Sequence, residues 1–232
     1  ANVPYKIKND YEILGNPKNT IDFDHSLHQK IMDNVEKMGS DARLVLDQDR
    51  VIHVNMIEKL LVLQLSKLSN FIPDGGIWLN TQRPEWNDAN NALVGYGVSM
   101  VTLYYLNRYI SFINNVLADV NETEFKISNE VLAWFRDTKE TYEKYLPIKN
   151  KKLNAVKRKI FVQELQKLFS NYRQRTYNKS SSGESKIKII DIINFNNLML
   201  AHFENSINNN YRNSLYSTYN TINIDNSDEI NV

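Results

Sequence analysis

Apolar positions along this chain recur mostly with the period of the α-helix. Ile31, Val35 and Met38 share one face of residues 27–38, with Asp24 or Ser26 placed to cap it and Gly39-Ser40 to end it. Asn55 precedes residues 56–68, where Ile57, Leu60, Leu61, Leu63, Leu65 and Leu68 predict a largely buried helix. Residues 96–118 are apolar nearly all round, the pattern of an interior helix. Ser128 opens a fourth helix to about residue 145, with Val131, Leu132, Trp134 and Phe135 inward and Pro147 beyond its end. A long basic fifth helix over 151–174 carries the stripe Val156, Ile160, Leu165, Leu168 and Phe169. Asp191 precedes a last pair, 192–208 and 211–219.

Other segments break that period. Residues 43–54, RLVLDQDRVIHV, alternate about Asp47-Gln48-Asp49 and predict a small β-hairpin. Ile187 and Ile189 suit a short strand. Residues 1–20 read as irregular, 69–95 as a long loop, 178–185 (NKSSSGES) as a flexible connector and 221–232 as a frayed tail. The sum is an all-α fold of antiparallel helical hairpins, with one candidate β-hairpin, forming a single helical domain over 1–232.

Composition agrees with a packed helical chain. Of 232 residues, 42% are hydrophobic and 24% charged, which allows a core, and the 7 Gly and 5 Pro are too few for a turn-rich β fold. With 28 basic and 27 acidic residues the net charge is +1, so nothing global calls for nucleic acid or an anionic membrane as partner. The sequence has no uninterrupted apolar run of transmembrane length and no signal-peptide-like start. It contains no cysteine, which removes disulfides, thiol catalysis and cysteine-bound zinc.

The candidate chemistry lies in residues 74–91, DGGIWLNTQRPEWNDANN. This stretch gathers Trp78, Trp86, Arg83, the carboxylates Asp74, Glu85 and Asp88, and the amides Asn80, Gln82, Asn87, Asn90 and Asn91. Indole faces suit the apolar side of a sugar ring, and amides suit its hydroxyls. A carboxylic acid can protonate a leaving glycosidic oxygen. The same residues also have plain structural uses: Asp88 as a helix cap, Glu85 or Asp74 as an ion-pair partner of Arg83, the tryptophans as core. His25 and His28 stand three apart without an evident third metal ligand. The run 149–159, KNKKLNAVKRK, reads either as a solvated face or as a weak nucleic-acid surface.

Arg83-Pro84-Glu85-Trp86-Asn87-Asp88-Ala89-Asn90-Asn91, followed by Gly95, Ser99 and Met100, resembles an active-site motif of the cellobiose phosphorylase-like, six-hairpin glycosidases. Pro84-Glu85 stands where that motif usually has Gly-Asp. The resemblance implies an (α/α)6 toroid and inverting cleavage of a glycosidic bond by water or by inorganic phosphate as co-substrate, with no cofactor or metal. It assigns Asp88 as general acid with Glu85 at the second acidic position. Trp78, Arg83, Trp86, Asn87, Asn90 and Asn91 would contact an oligosaccharide or glycoside. About seven helices are predicted, so the chain would form a partial ring, completed by a second copy or by a missing remainder. The rival reading is a non-catalytic helical module that binds sugar or assembles with a partner.

Overall fold

The computed structural model describes residues 3–47, 50–80, 92–149, 151–177, 182–224 and 228–232. In chain order these form β1 (Tyr5–Ile7), α1 (Asp10–Gly15), β2 (Ile21–Phe23), α2 (His25–Met38), β3 (Leu46–Asp47), β4 (Arg50–Val51) and α3 (Met56–Leu68). Then follow β5 (Phe71–Ile72), β6 (Gly76–Trp78), β7 (Gly97–Ser99), α4 (Met100–Ala118), β8 (Glu124–Ser128) and α5 (Asn129–Lys144). The last are α6 (Ala155–Tyr177), β9 (Glu184–Lys188), α7 (Ile189–Asn209), β10 (Tyr211–Arg212), β11 (Leu215–Tyr216) and β12 (Tyr219–Thr221).

The long helices start where local chemistry satisfies their free amides. Asp24 Oδ1 accepts from Leu27 N at 2.9 Å, Asn55 Oδ1 from Glu58 N at 2.9 Å, and Ser99 Oγ from Thr102 N at 3.0 Å. Ser128 precedes α5 without capping it; its hydroxyl and amide both bond the Glu58 carboxylate instead. The helices bury a shared aromatic centre. Phe71 meets Tyr142, Phe161 and Phe203 at ring-centroid distances of 6.0, 6.3 and 5.4 Å. Tyr142 is fully buried and donates its hydroxyl to Leu68 O at 2.9 Å, so the polar end of this large ring is satisfied.

The all-α expectation, and with it the partial (α/α)6 toroid, is corrected here. The fold is mixed, 57% helical and 17% strand, and the strand pairs among the described residues are antiparallel. Four strands form one sheet in the order β12-β7-β6-β5, with Ile77 opposite Ser99, Trp78 opposite Val98, and Tyr219 on the other side of Ser99. Strands β8 and β9 pair over five positions, from Glu124 opposite Lys188 to Ser128 opposite Glu184. Most of these strands are too short for a period-2 pattern to stand out, and β7 with β12 and β8 with β9 pair across more than fifty residues of chain. Their stability therefore comes from contacts that no local window contains.

Several element boundaries follow from the same cause. The 43–54 hairpin exists, with Leu46 opposite Val51. The expected loop 69–95 contains β5 and β6, and the expected helix start at 96–99 is β7. Helix α4 is not interior all round, since Tyr105 and Phe112 are exposed. Residues 1–20 hold β1 and α1, the latter closed by a capping box of Asn9 and Glu12. The 211–219 segment forms a hairpin and leads into β12 in place of a helix. The tail is packed, with Ile222, Ile224 and Ile230 buried. Of the 178–185 connector, residues 178–181 lie outside the described residues, and Glu184 and Ser185 belong to β9.

One buried ion pair fastens these parts together. Asp74, in the turn between β5 and β6, is 1% exposed, and Arg158 in the first turn of α6 is 4% exposed. Arg158 Nη2 lies 2.8 Å from Asp74 Oδ2. The same guanidinium donates to Pro73 O, Ile230 O and Leu153 O at 2.7–2.9 Å. Asp74 also accepts from Leu153 N at 2.8 Å and from Asn209 Nδ2 at 2.7 Å. Its backbone has φ of 66°, held by Ser206 Oγ on the amide and Asn210 Nδ2 on the carbonyl. Gly76 follows at φ 118°, where an added Cβ would stand 2.7 Å from Ser99 O, so only glycine fits beside β7. Asp74→Ala would strand a buried guanidinium, and urea unfolding is expected to show a loss of about 3–5 kcal/mol; a loss under about 1 kcal/mol would show the pair to be peripheral.

Candidate functional site

Two places carry polar chemistry. The first is the junction of β6 and β7, where the segment bearing the sequence motif leaves and rejoins the fold. Leu79 N donates to Gly97 O at 2.9 Å, and Gly95 N donates to Leu79 O at 2.7 Å, so the two ends are clamped side by side. Trp78 reinforces the clamp: its ring is 2% exposed and its Nε1 donates to Gly95 O at 3.0 Å. Asn80 Nδ2 donates to Asn70 Oδ1 at 2.7 Å, and Gln166 Nε2 of α6 reaches the same oxygen at 2.9 Å and Ser69 O at 2.7 Å. Tyr96 donates its hydroxyl to Ala92 O at 2.6 Å, and Lys18 Nζ lies 5.5 Å from the Tyr96 ring centre.

Of the residues that the resemblance assigns to sugar chemistry, Trp78 alone is described. Its indole anchors the junction, with its one donor spent on Gly95, and offers no open face for a sugar. Arg83, Glu85, Trp86, Asn87, Asp88, Asn90 and Asn91 fall within residues 81–91, outside the described residues. Asp74, read as a possible partner of Arg83, is bonded to Arg158. His25 and His28 both pack on Phe23, with ring centroids 4.7 and 5.5 Å away. Among the described residues no cluster of three or more acidic or histidine side chains could hold a metal ion.

The second place is a cleft of about 260 Å³ between the end of α5, the start of α6 and the C-terminal part of α7. Lys144, Lys151, Lys152 and Lys157 line it, and Asp74 is the one carboxylate among its lining residues. Asp74 is already matched by Arg158, so the cleft is cationic on balance. Lys144 pairs with Glu164; Lys151, Lys152 and Lys157 make no ion pair among the described residues. Tyr145, Leu146, Pro147 and Ile148 supply an apolar wall.

His202 of α7 lines the floor of this cleft at 4% exposure, among the rings of Phe71, Tyr142 and Phe161. Burial pulls its pKa down to about 4, against a smaller opposing pull from the Tyr142 carbonyl. The ring is therefore neutral at pH 7. Its Nε2 lies 3.1 Å from Tyr142 O, and a carbonyl only accepts, so Nε2 holds the hydrogen and Nδ1 is a bare acceptor. Part of this site was legible: the basic run 149–159 supplies Lys151, Lys152 and Lys157. The rest was not, because Arg158 in the same run turns inward and His202 stands alone in an apolar helix.

A scan against protein-family models matches none of them, and a search of curated proteins finds no matching relative.

The state of His202 has a consequence for stability. Unfolded, a histidine takes a proton near pH 6.5, whereas the folded chain resists protonation down to about pH 4. This contribution is complete above pH 6.5 and is lost as pH falls toward 4. Between pH 6.5 and pH 5 it amounts to about 2 kcal/mol. Urea midpoints measured across that window are expected to fall with pH, and His202→Gln, which keeps a donor toward Tyr142, is expected to flatten the profile there.

Proposed function

We propose that this chain acts on glycosides through the segment 81–91, with Asp88 as the proton donor and Glu85 beside it. The reading rests on the resemblance of residues 83–91 to a glycosidase motif. The observation that supports it is the clamp at the segment's base, where Leu79 bonds both Gly95 and Gly97 and Trp78 bonds Gly95. A polar segment closed at its base by strand pairing and a buried indole can hold functional side chains without spending them on packing.

In this mechanism the Asp88 carboxyl gives its proton to the glycosidic oxygen as the C–O bond breaks. A water or phosphate oxygen attacks the sugar carbon from the opposite face, giving inversion. Phosphate brings its own negative charge and needs no base from the protein, and Arg83 is placed in the motif to bind it. Attack by water needs a second carboxylate to take the proton, a role to which the motif assigns no residue; Glu85 assists or substitutes for Asp88 as acid. The amides Asn87, Asn90 and Asn91 and the ring of Trp86 would orient the sugar.

Asp88→Asn is expected to lower turnover of a panel of disaccharides, with and without phosphate, by about 100-fold or more. Calorimetric binding of the same sugars should change little. Binding without turnover in the parent chain would favour the non-catalytic sugar-binding alternative. Turnover untouched by Asp88→Asn would remove the assignment.

A further inference from the structure

The cationic cleft beside Asp74 is assigned no role by the glycoside reading, and its chemistry is distinct. Lys151, Lys152 and Lys157 line one opening, with no acidic side chain in the lining to answer their charge once Arg158 has matched Asp74. The amides at the start of α6 do not add to this charge: Asn154 Oδ1 already accepts from Val156 N and Lys157 N, and Asp74 takes Leu153 N. The lysines are thus the source of attraction, and they suit a compact dianion with several acceptor oxygens better than a single carboxylate. At the floor the requirement reverses. His202 is buried and neutral, and the unbonded Nδ1 accepts a hydrogen bond and repels an anion's oxygen. A ligand that satisfies both ends carries a phosphate at the rim and a hydroxyl donor inside. Tyr145, Leu146 and Pro147 offer surfaces for its CH groups. The volume of about 260 Å³ is below the roughly 300–1,000 Å³ typical of drug-sized ligands, which selects a small metabolite.

We propose that this cleft binds a small phosphorylated polyhydroxyl compound, its phosphate held by Lys151, Lys152 and Lys157 and one hydroxyl donated to His202 Nδ1. The proposal does not depend on the glycoside reading, because none of these residues belongs to segment 81–91.

The test is calorimetry on the full chain with glucose 6-phosphate, glucose and inorganic phosphate, alongside NMR of the His202 ring. Glucose 6-phosphate is expected to bind with a Kd of about 1 mM or tighter, at least about tenfold more tightly than glucose or phosphate alone. Its binding should weaken with rising salt and should move the His202 ring resonances. The double variant Lys152→Ala/Lys157→Ala changes only exposed side chains and is expected to weaken binding by about tenfold or more. Failure to saturate, equal binding of inorganic phosphate, indifference to the double variant, or a still His202 signal would each overturn the proposal. Asp88→Asn should leave this binding intact, so the outcome is read separately from the glycoside assignment.

Discussion

The pairing of Asp74 with Arg158 is the contact on which the arrangement depends. A carboxylate and a guanidinium removed from water carry a large desolvation cost, and only complete hydrogen bonding offsets it. Here the completion comes from four parts of the chain. Pro73 and Asp74 lie in a strand turn, Leu153 and Arg158 at the start of α6, Ser206 to Asn210 at the end of α7, and Ile230 in the tail. Asn220 of β12 extends the same network to Gly75 O and Asn210 Oδ1. A hydrophobic core of this size can tolerate sliding between helices, whereas a network of fixed donors and acceptors admits one register.

That register reaches both candidate sites. The turn at Asp74 sets β6, and β6 sets the pairing with β7 through Ile77 and Trp78. The clamp at Leu79 follows from that pairing, and with it the point where segment 81–91 departs. On its other side the network fixes Leu153 and the start of α6, and so the lysines at 151, 152 and 157 that line the cleft. One buried pair thereby positions a polar segment and a cationic opening that share no residue.

Burial also decides the chemistry of individual groups. His202 sits among aromatic rings, loses its ability to hold a proton, and becomes an acceptor at neutral pH. Arg158 is one of six basic residues in the run 149–159, and it turns inward to a carboxylate while its neighbours line solvent. A charge run therefore splits into a structural member and a surface set. The division depends on which side of α6 faces the 73–74 turn.

The helices were legible because their signals are local. Asp24, Asn55 and Ser128 each stand before a helix, and the bounds 56–68 match their helix, although Leu63 of the expected face is exposed and Glu58 and Gln64 are buried. The hairpin at Leu46 and Val51 was legible for the same reason, since its two strands are neighbours in the chain. The sequence by itself determined the long helical segments, the caps at Asp24 and Asn55 and the concentration of polar residues in 74–91. Only the tertiary structure decided that 71–72, 76–78, 97–99 and 219–221 join into one sheet, that Asp74 belongs to Arg158, and that His202 lines the same cleft as the lysines of 151–157. Strands of two or three residues carry too little local preference to declare themselves. A buried charge finds its partner through the whole chain's packing, which acts over separations no sequence window spans.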